Sequence, residues 1–378
     1  MLVRITPEVK NYAWGSKNLI QDHFGIGRES DQIAELWFGT QLGSESKALT
    51  SGKNLSELIG SRLSFLVKLL AAESPLSIQV HPNASQAASG FEAEQKLGVD
   101  LLDPARNYKD NSHKPELLIA LTPFSALCGF RPRAEILTIF EAFSESESRF
   151  SELAAQVKAS ETLEGVFVQL LKDHDLASGF KTSVGAQVFD SSDQSLALNA
   201  RNLAMDLLAR YPNDTGALVA LFLNRIELIP GQAIFLPAGN IHAYLEGLAI
   251  EVMAASENVI RAGLTSKHID QEELVKITDF TELTNPVVMP KKLAEGLVQY
   301  PVAASEFQVY KADVTGANLL ADIELPAEAL IVCVSGEVAV STSLEERQVL
   351  KRAEVVYLSE AKKFSLSGSG TAFVILGS

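Results

Sequence analysis

The sequence predicts a mainly β protein with a helical insertion, and three features carry that expectation. Before residue 132, apolar and polar residues alternate in short runs, most clearly in Leu76-Ser77-Ile78-Gln79-Val80-His81. A period of two is what a strand with one apolar and one polar face imposes. Over residues 132–215 the apolar spacing changes to three and four, the period of a helix with one buried face. From Gly216 onward short strands return, divided by Gly and Pro turns. At 378 residues the chain exceeds a single core, so it divides. The expected domains are 1–131 with 216–297 as one discontinuous β unit, 132–215 as a helical insertion, and 298–378 as a second β unit.

Composition narrows the function. The net charge of −15 argues against nucleic acid as the main partner, because phosphate backbones need a basic surface. It leaves room for a small anion held in a local basic pocket. No run of about 18 apolar residues exists to span a membrane. Met1-Leu2-Val3-Arg4-Ile5-Thr6-Pro7 lacks the apolar stretch of a secretory signal. Cys128 and Cys333 lie far apart in apolar runs, which fits reduced core thiols and a cytoplasmic protein.

Taken in order, Lys10-Asn11-Tyr12-Ala13-Trp14-Gly15-Ser16 is a turn-rich segment, and Trp14, between small and polar residues, suits a pocket wall. Ala34 to Thr40 reads as a strand entering a turn. Lys68 interrupts the apolar run Leu63 to Ala72. It is either a lysine whose amine reaches water or an ammonium held in a cleft for an anion, and composition weighs these equally. Next comes Pro75 to Asn83, where Ser77, Gln79 and His81 share one strand face and Pro82 ends the pairing. Such a face is a site if it points into a barrel and an ordinary exposed face if it points to water. Ala87 to Leu97 reads as a helix. In His113-Lys114-Pro115-Glu116-Leu117 the polar residues run straight into an apolar strand. Lys114 and Glu116 share a face, and His113 takes the other. A carboxylate opening a buried strand is costly unless paired or metal-bound.

The helical stretches are Arg133 to Phe143, Phe150 to Val157, Leu163 to Leu171 and Ser195 to Tyr211, with His174 in a solvated loop. Beyond Gly216, turns at Pro230-Gly231 and Pro237-Ala238-Gly239 bracket a buried strand. A new strand then begins with His242 and Tyr244 on one face. Glu257 and Arg261 either pair on a helix or face a ligand from a loop. Residues 271–297 read as a helix and a linker punctuated by Pro. The C-terminal segment repeats the rhythm of Gln232 to Ile250: with Leu358 laid on Leu236, Phe364 falls where His242 stands.

Pooled, the polar strand residues Gln79, His81, Glu116 and His242 make a nitrogen and oxygen shell suited to Zn²⁺ or a similar divalent ion. No cysteine takes part, which favours a catalytic over a structural site. Gly231-x5-Pro237-x-Gly239-x2-His242 resembles the second conserved motif of the cupin superfamily, small double-sheet barrels with a metal in the mouth. More narrowly, the chain resembles type I phosphomannose isomerases. The motifs are Tyr12-Ala13-Trp14-Gly15-Ser16, Ala34-Glu35-Leu36-Trp37, Leu76 through Asn83, Asn111-Ser112-His113-Lys114-Pro115-Glu116-Leu117 and Asn258 through Thr265.

The resemblance implies two cupin-type (jelly-roll) barrels, the C-terminal one metal-free, and an α-helical domain. It implies one zinc ion per chain on Gln79, His81, Glu116 and His242, with Arg261 as the active-site arginine. Lys68, Ser77, His113, Lys114 and Tyr244 fall at pocket positions. The expected reaction is interconversion of mannose 6-phosphate and fructose 6-phosphate through a cis-enediolate. Glu257 and His113 are the base candidates, and Lys68 or Lys114 with Ser77 are candidates for holding phosphate or moving a hydroxyl proton. A monomer is expected. Two positions depart from the family pattern. Ala84 stands where a Lys is frequent, and Glu257 where an Asp is common. The alternatives are a catalytically silent sugar-phosphate-binding cupin and a different metal-dependent cupin enzyme, such as an iron or manganese oxygenase. Gln79 argues against the oxygenase, whose site is usually three histidines and a carboxylate.

Overall fold

Every residue of the strand Phe65–Ala72 is buried, which is why its sequence is an apolar run and not an alternation. In the computed structural model, which describes residues 1–25, 32–188, 196–316 and 320–377, this strand lies inside an eleven-stranded antiparallel sheet. It pairs with Glu35–Phe38 on one side and with the long strand His242–Ala254 on the other. The second half of His242–Ala254 also pairs with Glu116–Ala120, whereas its first half turns to Phe124–Phe130 and Ile78–Val80. The change of partners falls at Gly247, whose φ is +127°. A Cβ there would stand 2.7 Å from the Phe124 ring and the Pro123 carbonyl, so only glycine lets the strand bend this closely past its neighbour.

The strands from Lys291 to Gly377 form most of a ten-stranded antiparallel sheet. The N-terminal strand Leu2–Thr6 belongs to it as well, paired with Val355–Ser359 on one side and Lys47–Ala48 on the other. The start of the chain is thus built into the sheet made by its end.

Helices occupy the expected stretch: Arg133–Phe143, Arg149–Ala159, Glu164–Lys172 and Leu196–Arg210. Ser195 lies outside the described residues. Their inner faces meet one another and the neighbouring Phe180 and Phe222 in tilted and edge-to-face ring contacts among Phe140, Phe143, Phe150, Phe167, Phe180 and Phe222. The same apolar cluster takes in Ile78, Val80 and Ile260, so the helical segment packs directly on two of the strands that carry polar residues.

Several local expectations need correction. The helix expected from Ala87 begins earlier, at Ala84–Lys96, because Asn83 and Gln86 form a reciprocal capping box before it. His174 is exposed but opens the short helix His174–Gly179, which Asp173 caps by accepting from the Leu176 N–H. The linker after Gln271–Ile277 contains short strands, Val287–Val288 and Lys291–Ala294, each paired at a sheet edge, where Pro is tolerated. Among the described residues no helix is long and apolar enough to cross a membrane.

Candidate active site

Strand register assembles the site in two rows. In the first, His242 lies opposite Gln79, and Gln79 lies opposite Arg261 on the next strand, Ile260–Gly263. In the second, Trp37 lies opposite Lys68, and Lys68 lies opposite Glu251. Residues directly opposite across a ladder stand about 4.5–5.5 Å apart at Cβ, so side chains along each row must interact.

The first row leads to the metal-type cluster. The Nε2 of His81 lies 3.3 Å from one oxygen of Glu116, and the Nε2 of His242 lies 3.4 Å from the other. Gln79 Nε2 is 3.3 Å from His242 Nε2, and turning that amide about its terminal bond offers Oε1 to the same point. The imidazole protons are accounted for elsewhere. His81 Nδ1 is 2.7 Å from the Asn258 carbonyl and His242 Nδ1 is 3.0 Å from the Asn240 carbonyl, and a carbonyl can only accept. Each Nε2 therefore turns a bare lone pair toward a carboxylate. His81 Nε2 is buried with no hydrogen-bond donor. Lone pairs facing one another in a buried cluster call for a cation between them. The spacing agrees. A tetrahedron of ligands at about 2.05 Å from its centre has edges of about 3.3 Å. His81, Glu116 and His242 are the metal-capable group found among the described residues.

Electrostatics prepare the cluster for a positive ion. Burial drives the His81 pKa down to about 4, keeping the imidazole neutral. Burial opposes the charge on Glu116, but the neighbouring Lys114 ammonium favours it, and the carboxyl is held well below the usual carboxylate range. Lys114 Nζ sits 3.1 Å from Glu116 Oε1.

A cleft of about 470 Å³ adjoins the cluster through Gln79 and Lys114, which belong to its lining. Trp14, Trp37, Lys68, Ser77, Glu257 and Arg261 all line it. A second cavity, of about 540 Å³, lies between Leu196–Arg210 and Leu223–Leu228, but its two arginines, Arg131 and Arg225, are paired with Glu135 and Glu227.

The cleft lining holds four cations, in two classes. Lys68 is buried between Glu251, at 2.8 Å, and Glu35, at 3.5 Å, and its ammonium rests 5.0 Å from the centre of the Trp37 ring. Burial alone would discharge it, but Glu251, Glu35 and Glu116 raise its pKa above the ordinary lysine value. Lys114 is paired with Glu116. Arg261 and Lys267 have no carboxylate within 4 Å among the described residues. Burial lowers the pKa of both, and in Lys267 the neighbouring Arg261 lowers it further.

Two expected pocket residues stand elsewhere. His113 points away from the cleft, with its Nε2 2.5 Å from Glu306, as the opposite-face assignment for Lys114 requires. Tyr244 is buried beneath the cluster. Its hydroxyl donates to Glu251 at 2.7 Å and lies 3.5 Å from Glu116, and burial with these two carboxylates pushes its pKa well above the phenol range. Residues 255–259 form a loop, so Glu257 and Arg261 face the cleft separately. Asp110 ties this loop down by accepting from Ser256 Oγ and the Glu257 N–H.

Sequence reasoning missed Glu35, Glu251, Lys267 and the second-layer Asn258. Glu251 had a readable signal, a lone carboxylate in the apolar run Ala249 to Ala254, symmetrical with Lys68 in its own run. Lys267 had none beyond its nearness to the Asn258 motif.

Residues 2–133 match the family model for phosphomannose isomerase type I, catalytic domain. The chain is 36% identical to mannose-6-phosphate isomerase of Salmonella typhimurium, with 97% of each sequence covered. It is 32% identical to the Homo sapiens mannose-6-phosphate isomerase, covering 95% of this chain and 93% of that one. A crystal structure of mannose 6-phosphate isomerase bound with zinc and yttrium matches with a TM-score of 0.88 and 32% identity, over 100% of this chain and 99% of that chain. Identity at this level along nearly the whole length, with the metal-capable cluster intact, means that the chain belongs to the type I phosphomannose isomerase family.

Proposed function

We propose that the chain is a zinc-dependent aldose–ketose isomerase that interconverts mannose 6-phosphate and fructose 6-phosphate. The observation that carries this reading is a pair of cations without a carboxylate partner among the described residues, Arg261 and Lys267, in a cleft whose lining includes Gln79 and Lys114, which contact His242 and Glu116 of the metal-capable cluster. A sugar phosphate needs both ends: a dianion anchor, and an electrophile over the two carbons that exchange a proton.

Gln79, His81, Glu116 and His242 would hold zinc. When bound, the ion supplies polarisation of the sugar carbonyl and stabilisation of enediolate charge. Arg261, permanently charged and in register beside Gln79, serves the end of the substrate where negative charge develops. Lys267 and Ser77, which line the cleft, bind the phosphate.

For the base, Glu257 has the better support. Its side chain lines the cleft with no cation within 4 Å among the described residues, whereas His113 is engaged by Glu306. Glu257 takes the proton from C2 of the aldose and returns it to C1. Lys68, locked by two carboxylates, acts as a fixed positive charge and not as a proton carrier. Lys114, paired to Glu116, is placed to donate to a sugar hydroxyl.

The same reading includes two cupin-type barrels, one on each large sheet, with domains at 1–131 plus 216–297, 132–215 and 298–378. The antiparallel sheets and the helices of residues 133–210 support it. A monomer in the cytosol completes it, supported by two free buried thiols.

A coupled assay of mannose 6-phosphate conversion, before and after chelation and with zinc restored, tests the function. Activity lost to the chelator and regained with zinc is the expected result. A folded, zinc-loaded protein that does not turn over mannose 6-phosphate would sink it.

A further inference from the structure

The helical segment meets the cleft at one strained corner. At the end of Leu196–Arg210, Tyr211 donates to the Pro75 carbonyl at 2.7 Å and Arg210 to Ser74 Oγ at 3.1 Å, just ahead of Ser77 and Gln79. The chain then turns through Pro212, Asn213 and Asp214. One oxygen of Asp214 accepts from the Gly216 N–H at 2.7 Å, and the other crosses to the Thr265 N–H at 3.2 Å.

Between these two anchors the backbones of Gly216 and Gly263 touch. A Cβ on Gly263 would stand 2.5 Å from Gly216 Cα, and one on Gly216 would stand 2.7 Å from Leu264 N. Leu264 is buried at a φ of +54°, a left-handed conformation that a branched side chain adopts only when its surroundings enforce it. Leu264, Thr265 and Lys267 all line the cleft, three residues beyond Arg261 and onward.

We infer that Asp214 is a positioning residue for the substrate phosphate: through the Thr265 N–H it holds Leu264 in the left-handed conformation and so fixes Lys267 relative to Ser77. The inference rests on the reading of Lys267 and Ser77 as the phosphate end of the site. The helical segment then has a part in the chemistry. It joins the wall bearing Ser77 and Gln79 to the loop bearing the cations, and Asp214 is the residue that makes the join.

The experiment compares Asp214→Ala, Asp214→Asn, Gly216→Ala and Lys267→Ala by kcat and KM for mannose 6-phosphate, inhibition by inorganic phosphate, bound zinc and near-UV circular dichroism. Asp214→Ala is expected to raise KM and the phosphate inhibition constant together by about tenfold, with kcat within about twofold and zinc retained. Asp214→Asn can satisfy only one of the two N–H groups and should raise both by about threefold. Gly216→Ala, by pushing on Leu264 from the other side, should act in the same direction. If Asp214→Ala fails to fold, the Asn variant decides the matter by the same two constants. Unchanged constants in folded Asp214 variants, with Lys267→Ala raising both, would overturn the inference alone. Unchanged constants in Lys267→Ala would remove the phosphate assignment and the inference with it. Loss of zinc in the Asp214 variants would assign the residue to the metal cluster instead.

Discussion

The two large sheets are built by the same rules and filled differently. Inside the ten-stranded sheet the core is Val314, Ile331, Cys333, Val338, Leu358, Phe364, Leu366, Val374 and their neighbours. Among the described residues, Ser359 is the only buried polar side chain beyond Asn258. Inside the eleven-stranded sheet and its adjoining strands, Glu35, Lys68, His81, Lys114, Glu116, His242 and Glu251 are all buried. Desolvating an ion costs several kcal/mol, and a buried ion pair commonly stabilises no more than an apolar pair of the same size. An antiparallel sheet of this kind therefore needs none of these groups to hold together. The apolar interior serves stability, and the polar one has been arranged for chemistry.

Substitutions that treat the two interiors alike should separate them. The largest effect is expected for Glu116→Ala, which removes a carboxylate between two imidazoles and strands Lys114: zinc content should fall to a small fraction and activity by at least about a thousandfold. Metal analysis with the coupled assay checks this, and full zinc in the variant would break the contrast. Phe364→Ala, in the core of the other sheet at the position that the sequence rhythm lays on His242, should lower unfolding free energy by about 4 kcal/mol through cavity formation, leaving kcat of the folded enzyme intact. Denaturant unfolding beside steady-state kinetics reads both quantities, and a fall in kcat would show that the second sheet takes part in catalysis. Arg261→Ala should reduce kcat by about a hundredfold while zinc stays bound, because Arg261 neighbours the cluster in register without ligating it. Metal loss in that variant would make it structural. The smallest change belongs to Tyr244→Phe. It leaves Glu251 short of one buried donor at a cost of about 1–3 kcal/mol in stability, with a modest effect on KM, since the phenol lies below the cleft.

Much of the site was legible because strands convert sequence spacing into facing. Gln79 and His81 share a face, Lys114 and Glu116 share a face, and His113 takes the other, and in each case the structure keeps that geometry. What that alternation does not say is which face looks inward, and so His113 and Tyr244 read as pocket residues although they contact Glu306 and Glu251. Lys68 could be read as surface or cleft until Glu251 was known to stand opposite it, 183 positions away in the chain, counting from the pairing of Lys68 with Glu251.

The sequence by itself determined the strand and helix periods, the helical stretch between the strands, and the polar strand residues among which the metal-capable His81, Glu116 and His242 stand. Those are local properties: a period of two or of 3.6, a capping residue, a carboxylate where burial is costly. The tertiary structure decided the register that sets His242, Gln79 and Arg261 in one row, and the division of the cleft's cations into those paired and those without a carboxylate partner among the described residues. It also decided the corner at which Asp214 of the helical segment grips the Arg261 loop. These depend on contacts between residues tens to hundreds of positions apart. Such contacts come from bends such as that at Gly247 and from close approaches such as that of Gly216 to Gly263, which no spacing along the chain encodes.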